Sequence, residues 1–260
     1  MRPTADKILV GSRITDYYNR TDLSTTISSS IGTEARAGTF TRSRVFSSSV
    51  GSKLVIALTG LGLLVFLILH LSGNLLFLVG PAAFNEYSHR LVSNPLIYVI
   101  EAGLAAVFLL HVYKTINLYL VSREARPVRY VRKERAGGPS RKNAASSSMI
   151  LTGVITFVFV VLHLRTFKFG AWYLTKGGVR DLYRLQIEIF SHPGYVVFYM
   201  VSMVVIGFHL WHGVPSAAQS LGFDHPKYAR IFWMGRVLAV VIAGGFFVLP
   251  IYTYFVGARS

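Results

Sequence analysis

The sequence offers eight histidines and no cysteine. Thiolate zinc sites, cysteine-held iron–sulfur clusters and disulfides within this chain are thereby excluded. Imidazole, carboxylate and backbone are the ligands left for a strongly bound cofactor. Four of the histidines, His70, His111, His163 and His209, fall inside long apolar runs, where an ionisable group is costly enough to be functional by default. A lone imidazole in such a run is more often a hydrogen-bonded packing residue. What sets these four apart is their position within the runs that carry them.

There are five such runs, at about residues 54–79, 95–121, 147–164, 194–215 and 237–256. Each is near or above the roughly 20 residues that a helix needs to cross about 30 Å of hydrocarbon, and too long and continuous for a strand. Glu101 and Lys114 are the only Asp, Glu, Lys or Arg residues inside them. Composition agrees: 52% of the chain is hydrophobic and 15% charged, against about 25% charged in soluble domains. The fold class expected is all-α and integral to a membrane, with five transmembrane helices in residues 54–257, the first four forming a bundle around the histidines.

The net charge of +16 does not point to nucleic acid, because the basic residues lie beside the spans and not on one face of a soluble fold with stacking aromatics. Residues 1–53 read as a polar, partly disordered arm, rich in Ser, Thr and Arg. The first apolar run is too long and begins too late for a secretory signal peptide, while Ser24 to Ser49 has the Arg/Ser-rich composition of a transit peptide. Basic residues give the orientation: 19 flank the spans on the side of the arm and seven on the other. By the positive-inside rule the amino terminus is cytoplasmic and the carboxyl terminus external.

Depth then pairs the histidines. His70 and His163 lie about 16 residues into spans that run outward, about 24 Å from the cytoplasmic end. His111 and His209 lie 16 and 15 residues into spans that run inward, close to the cytoplasmic face. Four helices each offering one imidazole, in twos at two depths, is the arrangement for two bis-histidine b-type haems stacked across a bundle. His89, His192 and His225 fall in loops or at helix ends, where solvated or capping roles are expected, while His212, one turn after His209, is suited to a haem edge or a nearby quinone. Gly60, Gly62, Gly103, Gly153 and Gly207 would let a flat macrocycle lie against backbone, though glycine is equally common at plain helix contacts. Glu101, in the outer part of the second span, is a candidate to relay protons, to bond a propionate or to pair with Arg90.

The runs SSSVGSKLVIALTGLGLLVFLILHLSGNL, FNEYSHRLVSNPLIYVIEAGLAAVFLLH, MILTGVITFVFVVLHLRTFKFG and FYMVSMVVIGFHLWHGVPSAAQSLGFDHPKY resemble the cytochrome b membrane subunit of succinate dehydrogenases and fumarate reductases. The similarity is to the single-chain, five-helix, dihaem type of bacterial enzymes, and it covers about residues 47–256. It implies His70 and His163 as ligands of a distal haem b and His111 and His209 as ligands of a proximal one. It implies a flavoprotein and an iron–sulfur subunit as partners on the cytoplasmic face of a bacterial inner membrane, since nothing in this chain would hold a flavin or a cluster. Quinone, with menaquinone favoured, would be the membrane substrate. An outer quinone site would draw on Asn74, Glu86, His89, Arg90 or Glu101, and an inner one on His212, Ser216 or Lys53. The chain itself would carry no dicarboxylate site.

Two other classes use the same residues. A stand-alone dihaem transmembrane reductase would need the four ligands and no soluble dehydrogenase, and a histidine-containing proton or metal transporter would need no haem. The orientation is tested by labelling intact cells: a tag on the carboxyl terminus should be accessible from outside and one inserted within Arg123 to Lys142 protected. The reverse pattern would overturn it.

Overall fold

A computed structural model describes residues 48–125 and 148–257. Nearly all of the polar arm and of the basic loop around residues 126–147 lies outside them. The described chain is helical, with a single isolated bridge, Leu174 to Arg180, among the described residues. Its helices are α1 (Ser49–Leu75), α2 (Pro81–Ser93), α3 (Leu96–Glu124), α4 (Met149–His163), α5 (Leu182–Phe190), α6 (Pro193–Ser220) and α7 (Ala229–Gly257). Five of these, α1, α3, α4, α6 and α7, are long and apolar enough to cross a membrane, some with a short turn attached.

The spans outrun the apolar stretches because capping, and not hydropathy, sets where a helix starts. The Ser48 hydroxyl accepts from the Gly51 N–H at 3.0 Å, so α1 begins at Ser49 and takes Lys53 into its second turn. At its other end α1 tightens into a 3₁₀ turn, Leu76–Leu78. Gly80 then adopts φ 132°, a backbone region that favours glycine, and Pro81 occupies the first turn of α2. The last span also starts earlier than its apolar run. His225 Nδ1 accepts from the Lys227 N–H at 3.2 Å, and a 3₁₀ turn at Pro226–Tyr228 leads into α7.

Two short helices, α2 and α5, occupy stretches that hydropathy reads as loops. Both lie between spans, on the side where the chain passes from α1 to α3 and from α4 to α6, and they are clamped together there. The Asn85 amide is 5% exposed; it donates to Asp181 Oδ1 at 2.8 Å and accepts from the Tyr183 N–H at 2.9 Å. Phe77 stacks on Tyr183 with ring centres 4.2 Å apart; burial pushes the Tyr183 phenol up. Gln186 of α5 in turn donates to the fully buried Thr253 hydroxyl of α7 at 3.1 Å.

Between the spans, packing follows small residues. α6 and α7 form the most extensive contact. A Cβ at Gly207 would come 3.1 Å from Ala243 Cβ, one at Gly235 2.8 Å from Val214 and one at Gly245 2.9 Å from Leu71. Where little hydrophobic force distinguishes a neighbouring helix from lipid, such close approach is what holds helices together. Outward faces carry exposed Leu69, Val99, Leu109, Val158 and Val240, a surface made for hydrocarbon and not for water. The α2–α5 clamp gives a stability prediction. Asn85→Ala removes two hydrogen bonds of a buried side chain, one to a carboxylate, and should cost about 2–4 kcal/mol in detergent-solubilised unfolding. An unchanged midpoint would mean that the clamp is not what joins these helices.

Candidate functional site

Four of the five spans, α1, α3, α4 and α6, carry His70, His111, His163 and His209 in turn. His70 of α1 and His163 of α4 face one another at the α2–α5 end, with ring centres 5.8 Å apart and planes at 84°. His163 is the last residue before α4 widens into a π turn, Leu164–Lys168, a distortion common at functional positions. The two rings sit in an aromatic sheath: Phe66 and Phe246 lie 5.2 and 5.6 Å from His70, and Phe159 and Phe167 lie 5.6 and 5.4 Å from His163. The Tyr199 hydroxyl of α6 lies 3.4 Å from His163 Nδ1.

The other two histidines lie at a second level. His111 of α3 has its Nδ1 3.1 Å from the Thr59 hydroxyl of α1, and His209 of α6 has its Nδ1 3.2 Å from the Thr152 hydroxyl of α4. Thr59 precedes His70 by 11 residues, as Thr152 precedes His163, so this level is about 16 Å from the first. His212 follows His209 by three residues on α6. Glycine opens the backbone beside each ring: a Cβ at Gly60 would lie 3.2 Å from His111 Cε1, and one at Gly153 3.5 Å from His209 Cε1.

The residues present suit bis-imidazole ligation of a haem iron. Two metal–nitrogen bonds of about 2 Å put facing ring centres roughly 6 Å apart, and the 5.8 Å between His70 and His163 is of that size. A hydroxyl lies on Nδ1 of His111, His163 and His209, the usual second contact of a metal-bound imidazole, and would leave Nε2 to ligate. Among the described residues no three His, Asp or Glu side chains converge.

The chain is similar to a cytochrome subunit. It is 28% identical over 170 residues to the succinate dehydrogenase cytochrome b558 subunit of Bacillus subtilis (strain 168), an alignment covering 64% of this chain and 77% of that protein. No protein-family model matches it, and no solved structure does.

Each outer quinone candidate has a local partner. Asn74 donates to the His70 carbonyl at 2.8 Å, Glu86 accepts from Arg90 at 2.9 Å across one exposed turn of α2, and His89 is bonded to Ser93. Glu101 does not pair with Arg90. Its partner is Lys168, at the end of the π turn of α4; Arg90 is taken by a carboxylate four residues away on its own helix. Of the inner candidates, His212 is half-buried beside His209, Ser216 is half-buried in α6, and Lys53 is exposed in α1. His192 and His225 are exposed at helix starts, while His89 lies within α2 and not in a loop. Gly207 meets α7, Gly62 has only Val107 near it, and Gly103 has nothing beside it; Gly60 and Gly153 alone of the five face a histidine ring.

Thr59, Thr152, Tyr199 and Lys168 were not singled out in the sequence. The signal for the threonines was there: Leu-Thr-Gly occurs at residues 58–60 and again at 151–153, each time with a histidine ten residues after the glycine. The new ion pair is testable by a double-mutant cycle on thermal unfolding. Glu101→Gln and Lys168→Gln should couple by about 0.2–1 kcal/mol, the range for half-exposed pairs, while Glu101→Gln and Arg90→Gln should be additive. Coupling of Glu101 to Arg90 instead would overturn the assignment.

Proposed function

We propose that this chain is the cytochrome b membrane anchor of a succinate:quinone oxidoreductase, carrying two haem b groups and passing electrons between an iron–sulfur subunit and membrane quinone. The observation that carries the proposal is the meeting of His70 and His163, imidazoles of two different spans, at the spacing a shared iron requires. The similarity to a succinate dehydrogenase cytochrome b558 subunit supports it independently. His70 and His163 hold the distal haem, and His111 and His209 the proximal one. Haem so ligated supplies a one-electron couple with no open iron position, which suits electron transfer and not oxygen binding.

The chain's own residues then have distinct tasks. The four imidazoles fix the two macrocycles at separate depths, and Phe66, Phe159, Phe167 and Phe246 keep water from the outer pair. Glu101 and Lys168 are the ionisable pair nearest that level, placed to exchange a proton with quinone, menaquinone being the acceptor favoured. The basic arm and loops face the cytoplasm of a bacterial cell, where the flavoprotein and iron–sulfur subunits dock at the proximal end.

Spectra of single variants in the purified complex test the assignment. His70→Ala and His163→Ala should abolish one and the same low-spin haem signal, and His111→Ala and His209→Ala the other. Loss of the proximal haem should also block reduction by succinate of the haem that remains. Removal of the same signal by His70 and His111 substitutions would overturn the pairing. A colourless wild-type protein would favour a transporter, and a haem protein that purifies without soluble subunits would favour a stand-alone reductase.

A further inference from the structure

Hydroxyls in membrane helices ordinarily bond back to a carbonyl one turn earlier, and Thr59 and Thr152 both do so. Thr59 Oγ1 donates to the Val55 carbonyl at 2.6 Å, and Thr152 Oγ1 donates to the Met149 carbonyl at 3.1 Å. Taken alone, these bonds imply nothing about function. Each hydroxyl, however, makes a second contact across a helix boundary, to His111 Nδ1 and His209 Nδ1 respectively. A hydroxyl has one proton and two lone pairs. With its proton committed to the backbone carbonyl it can only accept from the histidine, so Nδ1 of each ring carries the hydrogen and Nε2 presents its lone pair.

The device is made twice, from the same three residues. Leu58-Thr59-Gly60 on α1 serves His111 of α3, and Leu151-Thr152-Gly153 on α4 serves His209 of α6. The threonine holds the edge of the ring, and the neighbouring glycine lies against Cε1, where a Cβ would be tight at Gly60 and in ordinary contact at Gly153. Eleven residues make three helical turns with about 20° left over, so Thr59 and His70 share one face of α1, as Thr152 and His163 share one face of α4. Each of these helices therefore presents a ligand at one level and a ligand-positioning hydroxyl at the other. The first level lacks a matching device: His163 has the Tyr199 hydroxyl at 3.4 Å, and among the described residues the His70 ring has aromatic neighbours and no hydrogen-bonding one.

We infer that Thr59 and Thr152 are positioning residues for the pair His111 and His209, fixing both imidazoles in the Nδ1–H form and raising their donor strength toward a shared haem iron. This rests on the assignment of the histidines as haem ligands. An accepting group on Nδ1 makes the imidazole more basic, and a more basic ligand favours the more positively charged ferric iron. Loss of either acceptor should then raise the midpoint potential of the proximal haem.

The experiment is a redox titration of the haem absorbance in the intact complex, with the proximal signal identified as the one lost in His209→Ala. Thr59→Val and Thr152→Val, which keep the shape and delete the acceptor, should each shift the reduction equilibrium of the proximal haem upward by about tenfold, equivalent to 59 mV for a one-electron couple. The distal haem should not move, and Thr59→Ser and Thr152→Ser should titrate like the wild type. Valine and serine variants that titrate alike, or both haems moving together, would overturn the inference. Where valine blocks haem incorporation, a serine variant with normal haem supports it and a serine variant that fails equally overturns it. A wild-type complex without haem would overturn the ligand assignment itself, and this inference with it.

Discussion

Hydrocarbon offers no hydrogen bonds, so every polar group placed within the spans has to find its partner inside the protein. That constraint organises the whole structure. Thr59 and Thr152 bond at once to carbonyls of their own helices and to histidines of the next. Gln186 and Thr253 satisfy each other where α5 enters the bundle, and Glu101 meets Lys168 where α4 leaves its regular winding. These bonds run between helices, and each fixes the height of one span against another as well as satisfying a polar atom. Height matters here because two imidazoles can share an iron only when they lie at the same depth.

The fifth span works through packing. α7 carries none of the four central histidines, yet it makes the broadest contact in the protein, against α6, and reaches α1 through Gly245 and Leu71. It thereby braces the two helices that hold His209 and His70. Its Phe246 also lies against the His70 ring. α3, by contrast, buries no residue fully; it is placed against α1 through His111 and the glycine beside it, and against α4 through Glu101–Lys168 and the Phe108–Phe157 stack.

The duplicated Leu-Thr-Gly pattern puts a threonine and a histidine on one face of each of two helices. One stripe of α1 and one of α4 each contribute to both levels, so a helix that slid or turned would disturb both sites together. The aromatic shell around His70 and His163 and the hydroxyl contacts to His111 and His209 give the two levels different surroundings on a common scaffold.

The membrane-spanning class, the five spans and the positions of the histidines along them were legible in the sequence, because a 30 Å slab imposes a length of apolar residues that no short-range packing can disguise and because helical rise converts residue number directly into depth. Span ends were less legible: Ser48 and Pro226 set where helices start through caps and turns that hydropathy does not weigh. The short helices α2 and α5 were hidden for a related reason, since their stability comes from Asn85, Asp181 and the Phe77–Tyr183 stack, residues brought together from far apart in the chain. What the tertiary structure alone decided is rotation about each helix axis and the choice of neighbour. The sequence offered Arg90 as a partner for Glu101, but the assembled bundle turns it toward Lys168. It turns Gly60 and Gly153 toward histidines and Gly207 toward α7, because the facing of a side chain depends on which helices pack together, and that is a property of all of them at once.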